Sequence, residues 1–278
     1  MGLVLGIDVG GSSTKIVGLK SKKAGQANEN CIGMLQVRAA DQITSMYGAI
    51  GNFLSKYSIE LETVSEIYLT GVGASFVKDE VYGIKTHKVS EFTAIGCGAL
   101  SLTKLSSALV VSMGTGTAFV RAAQNENKHL GGSGVGGGTI LGLASQMLGK
   151  CGIDAILALA DKGTLENIDL SVSDILSTQV QSLPADLTAA NFGKVTSTAS
   201  DGDIALGIIN MVFETIGMLA VFAIMNDTVK DVILTGTLAT FPQAETVFSK
   251  FKRLTGVNFI IPPDAVFATA LGAVSAGH

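Results

Sequence analysis

Short apolar runs alternate along the chain with longer segments whose apolar residues recur at helical spacing. The spacing predicts helices over residues 41–54, 90–102, 139–148, 204–226 and 265–276, because it gathers apolar side chains on one helix face. Short apolar runs such as 232–234 predict strands. Strands that alternate with helices indicate an α/β fold with a mainly parallel sheet, covered on both faces and edged by antiparallel hairpins.

The longest apolar run covers residues 216–225 and is bounded by Glu214 and Asp227. A membrane span needs roughly 20 apolar residues, so this run predicts a buried core helix or a subunit interface, and no membrane association. The first residues carry no basic segment, so we predict no signal peptide and a cytoplasmic protein.

Two pairs of segments repeat along the chain. LVLGIDVGGSSTKIV (3–17) resembles ALVVSMGTGTAFV (108–120), and TVSEIYLTGVGASF (63–76) resembles TVKDVILTGTLATF (228–241). The first pair predicts β-hairpins with glycine-hydroxyl turns, and the second predicts apolar strands that end in Leu-Thr-Gly. The pairs are spaced differently, which indicates two lobes, 1–105 and 106–278, with an insertion near 131–193 in the second.

Composition narrows the function. Hydrophobic residues make up 47% and charged residues 15% of the chain, so much of it must be buried. The net charge of −4 argues against nucleic-acid binding. The three cysteines form no C-x-x-C pair and the histidines lie far apart, which predicts buried, reduced thiols in a reducing cytosol and no zinc site.

The segment GIDVGGSSTK (6–15) ends an apolar strand with an acid and follows it with two glycines. Backbone N–H groups at such a turn can bind phosphate oxygens, and the acid can hold Mg²⁺ directly or through water. The alternative interpretation of the same residues is an ordinary Gly-Gly hairpin with a solvated acid. On the first interpretation the acid is Asp8 and the phosphate loop contains Gly10, Gly11, Ser12, Ser13, Thr14 and Lys15.

Two further glycine segments are candidates for the same site. Residues 114–117 (GTGT) form the matching turn of the second half, or simply a tight hairpin. Residues 131–138 (GGSGVGGG) run directly into a predicted helix, where unpaired N–H groups and the helix dipole favour an anion. A flexible linker is the alternative, but a linker does not normally continue into an amphipathic helix.

Glu91 begins the predicted helix 90–102. A carboxylate at a helix start often only complements the helix dipole, whereas a kinase also needs a base for its hydroxyl nucleophile. The residue pattern leaves both roles open. The absence of a G-x-S-x-G motif argues against covalent hydrolase chemistry.

Taken together, these segments resemble the actin-like ATPase and sugar-kinase superfamily, and more narrowly the type II pantothenate kinases. The matching segments are 6–15, 90–92, 114–117, 131–142, 186–193 (DLTAANFG) and 234–237 (LTGT). The resemblance implies a duplicated actin-like (ribonuclease H-like) ATPase fold whose two lobes flank a nucleotide cleft. It also implies a homodimer, for which the apolar helix 204–226 is the candidate interface.

The implied reaction transfers the γ-phosphate of ATP to the primary hydroxyl of pantothenate, the first step towards coenzyme A, with Mg²⁺ at Asp8. Glu91 becomes the candidate base and a substrate contact together with Thr117 and His129. The implied nucleotide contacts beyond the first loop are Thr115, Gly137, Gly138, Thr139, Ile140, Leu141 and Thr237.

One departure from the family pattern concerns the acceptor. His129 stands where the family has an arginine that grips the substrate, and histidine lacks the bidentate fork that suits a carboxylate. Two alternatives therefore remain: a kinase of the same fold for a sugar, amino sugar or pantothenate analogue, and a non-catalytic ATP-binding sensor.

Overall fold

The computed structural model describes residues 2–20, 30–39, 41–77, 80–124, 126–176, 184 and 186–277. Part of the predicted insertion, residues 177–183 and 185, lies outside this range. The strands are β1 Leu3–Val9, β2 Ser13–Leu19, β3 Cys31–Arg38, β4 Val64–Thr70, β5 Thr86–Lys88, β6 Ser107–Met113, β7 Thr117–Ala123, β8 Glu126–Ser133, β9 Leu170–Ser171, β10 Thr188–Ala190, β11 Asp231–Thr235 and β12 Asn258–Ile260.

The predicted helices form with small shifts at their ends. The helices are α1 Gln42–Lys56, α2 Glu91–Thr103, α3 Gly137–Leu148, α4 Ile153–Ala160, α5 Val172–Ile175, α6 Asp201–Ala223, α7 Pro242–Thr255 and α8 Ala268–Ala276. Helix α6 begins three residues before the predicted start, because the Ser200 hydroxyl accepts a hydrogen bond from the Asp203 N–H and caps the helix. The predicted helix 265–276 instead opens with a 3₁₀ turn, Ala265–Phe267.

Two five-stranded mixed sheets share one topology, which confirms the predicted duplication. The first has the order β3-β2-β1-β4-β5 and the second, read from its other edge, the order β8-β7-β6-β11-β12. In each sheet the first three strands are antiparallel and the last two run parallel to the central one. The ends of the central parallel strands therefore face one another across a cleft.

The Leu-Thr-Gly repeat has the same geometry in both halves. Gly71 follows β4 with φ of 89°, and Gly236 follows β11 with φ of 87°. A Cβ atom on Gly71 would come within 2.6 Å of the Val9 carbonyl oxygen, and one on Gly236 within 2.5 Å of the Met113 carbonyl oxygen. Glycine is required because the backbone is left-handed and presses on the adjacent strand end.

The insertion in the second half lies between β8 and β11, where the first half has only α1 and a 3₁₀ turn between β3 and β4. Its predicted start at residue 131 falls inside β8. The DLTAANFG segment binds to α6, because the side-chain amide of Asn191 donates to Glu214 at 2.8 Å. Within the insertion, the Phe192 N–H donates to buried Asp169 at 2.8 Å. In this structure that segment is a structural connection rather than part of the cleft.

Helix α6 forms the centre of the second lobe. It is long and apolar enough to cross a membrane, but 56% of its most apolar window is buried inside the protein. Its buried side packs with α3, α4 and α7 in the largest apolar cluster. The predicted apolar run 216–225 is only partly core: Ile216, Gly217, Ala220 and Ile224 are buried, whereas five of its ten residues are exposed, among them Met218, Leu219, Phe222 and Met225.

The last helix of each half packs on the sheet of the other half. Helix α2 follows the first sheet but places Ile95 and Ala99 against β6 and β7, while α8 places Ala270 and Val274 against β1 and β2. The sheets divide close to the predicted boundary at residue 105, whereas these two helices bind the lobes together.

The two exchanged helices cross at backbone contact. A methyl group on Gly98 would overlap the carbonyl oxygen of Ala268, and a methyl group on Gly272 would overlap that of Ala94. The crossing therefore depends on one glycine in each helix, four residues after the alanine whose carbonyl meets the other helix.

Candidate active site

A cavity of about 600 Å³ lies between the two lobes at the carboxyl ends of the central strands. Ligands of α/β sheets bind at this end of the strands. The predicted residues that line the cavity are Asp8, Gly10, Gly11, Ser12, Ser13, Lys15, Glu91, Thr115, Thr117 and Thr237. The fold therefore brings the first loop, the candidate base and the second loop to one place.

Asp8 ends β1 and is buried, with Lys15 beside it on β2. The Lys15 Nζ donates to the Asp8 Oδ2 at 3.3 Å. Burial raises the pKa of Asp8, and the neighbouring Lys15 charge only partly opposes that rise. A further positive charge in the cleft would stabilise the ionised form of Asp8.

Glu91 is the first residue of α2, and its carboxyl group faces the same cavity. Burial is the main reason that its pKa is raised, the negative charge of Asp8 raises it further, and Lys15 opposes the rise. A carboxylate of raised pKa accepts a proton more readily near neutral pH, as a general base must. The position of Glu91 in the cleft favours the general-base hypothesis over the alternative, an exposed charge that only complements the helix dipole.

The two glycine-hydroxyl turns meet across the cleft. The hydroxyls of Ser12 and Thr115 are 3.0 Å apart and hydrogen-bonded. Both residues also line a second cavity of about 520 Å³. A chain of phosphates that extended from one cavity into the other would therefore lie near these two hydroxyls.

The glycine run 131–138 differs from the prediction of free N–H groups at a helix N-terminus. The Gly137 N–H donates to the Gly114 carbonyl and the Gly138 N–H to the Thr115 carbonyl, both at 2.9 Å. Because these two N–H groups are hydrogen-bonded to the turn 114–117, they are not free to bind an anion at the start of α3. Gly137, Gly138 and Leu141 line the second cavity.

Four predicted site residues do not line either cavity. Thr14 is buried in β2, and Ile140 lies in the apolar core because its helical position faces inward, whereas Leu141 faces the cavity. The Thr139 hydroxyl accepts from the Gly136 N–H at 3.1 Å and donates to the carbonyl of residue 134, so it caps α3. His129 is exposed on β8, with its ring stacked on Phe92 at 3.8 Å between centroids.

The structure adds residues that sequence reasoning missed. Ser112, Ser133 and Thr269 line the first cavity, and Arg38 and Asp154 line the second. Two of them carried a signal in the sequence: Ser133 lies within the candidate segment 131–138, and aligning the two hairpin repeats sets Ser112 against Asp8.

The prediction of buried cysteines was wrong, because Cys31 and Cys97 are only half-buried. The thiols of Cys31, Cys97 and Cys151 are all unpaired, but Cys151 is exposed rather than buried, and it lies at the second cavity.

Within the described ranges, no cluster of three or more acidic, histidine or cysteine side chains offers a complete metal cage. Mg²⁺ does not need one, because it is usually bound by one or two carboxylates, water and substrate phosphates. Asp8 fits this pattern, and the buried hydroxyl of neighbouring Thr70 has no hydrogen-bond partner among the described residues.

Comparison with known sequences identifies relatives along the whole chain. The Fumble family model matches residues 51–245, more than half of the chain. The chain is similar to the type II pantothenate kinase of Bacillus cereus, with 26% identity over 97% of each chain. It is equally similar to the type II pantothenate kinase of Staphylococcus haemolyticus, with 26% identity over 97% of this chain and 98% of the other.

Solved structures support the fold. Component A of (R)-2-hydroxyglutaryl-CoA dehydratase from Acidaminococcus fermentans matches with a TM-score of 0.69 and 20% identity over 100% of both chains. The activator of 2-hydroxyisocaproyl-CoA dehydratase from Clostridium difficile, solved with bound ADPNP, matches with a TM-score of 0.68 and 15% identity over 98% of this chain and 93% of the other. A hexokinase of the ROK family from Thermus thermophilus matches with a TM-score of 0.55 and 11% identity over 99% and 98%.

Proposed function

Because the chain belongs to the Fumble family, we propose that it is an ATP-dependent kinase that phosphorylates the primary hydroxyl of pantothenate. The observation that carries the proposal is the meeting of Asp8, Glu91 and both glycine-hydroxyl turns in one cavity. The full-length similarity to type II pantothenate kinases supports the choice of acceptor.

In the proposed reaction, Glu91 accepts the proton of the acceptor hydroxyl while the hydroxyl oxygen attacks the γ-phosphorus. The bond from that phosphorus to the β–γ bridging oxygen breaks, and ADP leaves. Lys15 and the hydroxyls of Ser12 and Thr115 stabilise the phosphate charge. Mg²⁺ held at Asp8 would neutralise charge on the phosphates.

The linings of the two cavities support binding of the acceptor in one and of the nucleoside in the other. The first cavity contains both carboxyl groups and suits the acceptor and the γ-phosphate. The second is lined by Leu141, Ile153 and Phe241, apolar side chains that suit a nucleoside. The neighbour solved with bound ADPNP shares the fold, which supports ATP as the phosphate donor.

Two proposed acceptor contacts differ in their support. Thr117 lines the first cavity, and its hydroxyl donates to the Val135 carbonyl at 2.8 Å. The hydroxyl oxygen can therefore accept a hydrogen bond from a donor group of the acceptor substrate. His129 has weaker support, since it lines neither cavity and its ring is stacked on Phe92, the residue after Glu91. The acceptor's identity is therefore the finer part of the proposal.

The test is an ADP-release assay with Mg-ATP and a panel containing pantothenate, a neutral pantothenate amide, a hexose and an N-acetylhexosamine. Pantothenate should give the largest increase over the acceptor-free rate. A preference for a sugar would assign the same chemistry to another acceptor. Tight nucleotide binding without transfer to any acceptor would instead support an ATP-binding sensor.

The rate should depend on pH through Glu91. A base acts when ionised, so kcat/KM should rise with pH through the Glu91 pKa, which lies above the ordinary value of 4.5 mainly because of burial. Removing the Lys15 charge by Lys15→Met should move this rise to still higher pH. The pH profile at saturating Mg-ATP measures both shifts; a rise centred at or below 4.5 would contradict the prediction.

We also propose a cytoplasmic homodimer that pairs through α6. Met218, Leu219 and Phe222 of α6, and Met225 just beyond its end, are between 37% and 60% exposed, which is costly for apolar groups left in water. Light scattering should give twice the chain mass, and Phe222→Glu should shift it towards the monomer. A monomeric wild-type protein at micromolar concentration would remove this proposal.

A further inference from the structure

The duplicated fold gives Asp8 a counterpart in the second half. Asp8 lies beside Thr70 on the neighbouring parallel strand, and Ser112 lies beside Thr235 in the same register of the second sheet. Each pair stands at the end of the central strands, just before the turn that faces the cleft. Ser112 therefore occupies the place in the second loop that Asp8 occupies in the first.

Two observations make both places candidates for contact with a ligand. Asp8 and Ser112 line the same cavity. The hydroxyls of Thr70 and Thr235 are fully buried, and neither has a hydrogen-bond partner among the described residues. Register partners on adjacent strands project from the same face of a sheet, so each lone hydroxyl lies beside its cavity residue. Buried hydroxyls normally have a partner, which indicates bound water or another oxygen at both strand ends.

We propose that Ser112 is a positioning residue for the cation, and that its hydroxyl holds a water molecule of the Mg²⁺ hydration shell opposite Asp8. The inference rests on the proposed phosphotransfer, because it concerns the cation of that reaction. Mg²⁺ keeps several of its waters in proteins, and groups that hold such waters set its position.

There is a physical reason for a neutral hydroxyl, and not a second carboxylate, at position 112. The charge of Asp8 already raises the pKa of Glu91. A second acid at position 112 would raise it further and leave less of the ionised base at neutral pH. Serine can hold the water without adding that charge.

The experiment measures binding of a fluorescent ADP analogue while Mg²⁺ is titrated. Ser112→Ala should raise the half-saturating Mg²⁺ concentration about tenfold, a typical effect of removing an outer-shell partner. Its affinity for the nucleotide without Mg²⁺ should stay unchanged, and Ser112→Thr, which keeps the hydroxyl, should resemble wild type. The matched control is Ser107→Ala, which makes the same change at the other end of β6.

A wild-type Mg²⁺ dependence in Ser112→Ala, or an equal loss of nucleotide affinity with and without Mg²⁺, overturns the proposal. If that variant does not fold, Ser112→Asp decides instead: the added carboxylate should lower the half-saturating Mg²⁺ concentration several-fold, and no change overturns the proposal. Failure of the kinase proposal is a separate result, since it is measured by ADP release with the acceptor panel, whereas this experiment measures only nucleotide binding and its dependence on Mg²⁺.

Discussion

Replacing Glu91 by Gln should lower turnover by about 100-fold or more while the protein keeps its fold and its nucleotide affinity. The side chain keeps its size and its place in the cavity at the start of α2, but it can no longer accept a proton. The acceptor hydroxyl must then lose its proton to water. Steady-state ADP release measures the fall, and the binding of a fluorescent ADP analogue measures the affinity.

The matched control for this variant is Glu62→Gln, the same change on an exposed 3₁₀ turn of the first lobe. It should leave turnover unchanged. The rise of kcat/KM with pH should also disappear in Glu91→Gln, because that rise reports the titration of the same carboxyl group. Near-normal turnover in Glu91→Gln would remove the base from the mechanism and leave Glu91 as a dipole complement.

Replacing Gly272 by Ala should destabilise the protein by about 3 kcal/mol or more, and Gly98→Ala should act in the same way. Each new methyl group would overlap a backbone carbonyl of the opposite helix, either Ala94 or Ala268, and a backbone cannot move aside as a flexible side chain can. The helices α2 and α8 must separate to make room. Urea denaturation followed by circular dichroism measures the loss.

The control for the glycine variants is Gly48→Ala in α1, where a methyl group meets nothing within 4 Å. This change should raise stability by about 0.5–1 kcal/mol, because alanine is the better helix former. The same substitution thus has opposite signs at two places. Equal effects of Gly272→Ala and Gly48→Ala would contradict the close crossing.

The crossing of these helices connects stability with the active site. Helix α2 carries Glu91 at its first residue, and α8 brings Thr269 to the same cavity. A displacement at Gly98 would therefore move the base relative to Asp8. We expect any folded fraction of the glycine variants to lose turnover, whereas Gly48→Ala keeps it, which steady-state ADP release under native conditions would show.

The duplicated fold, five of the helices, the strands of the repeated segments, and the positions of Asp8 and Glu91 at the ends of their elements could all be predicted from the sequence. These features follow from short-range physics: apolar periodicity, glycine turns and residues next to a strand end or helix start. The repeated Leu-Thr-Gly segments added the two-lobe organisation. The family resemblance, confirmed by the match over residues 51–245, supplied the chemistry.

Only the tertiary structure decided which groups are free to bind. The N–H groups of Gly137 and Gly138 were predicted to be open, yet the second loop occupies them. Thr14 and Ile140 lie within site motifs but face the interior, and His129 rests on Phe92 outside the cavity. Hydrogen-bond partners and burial depend on segments far apart in the chain, and no local pattern encodes them. For the same reason the exchange of α2 and α8 between the lobes became visible only in three dimensions.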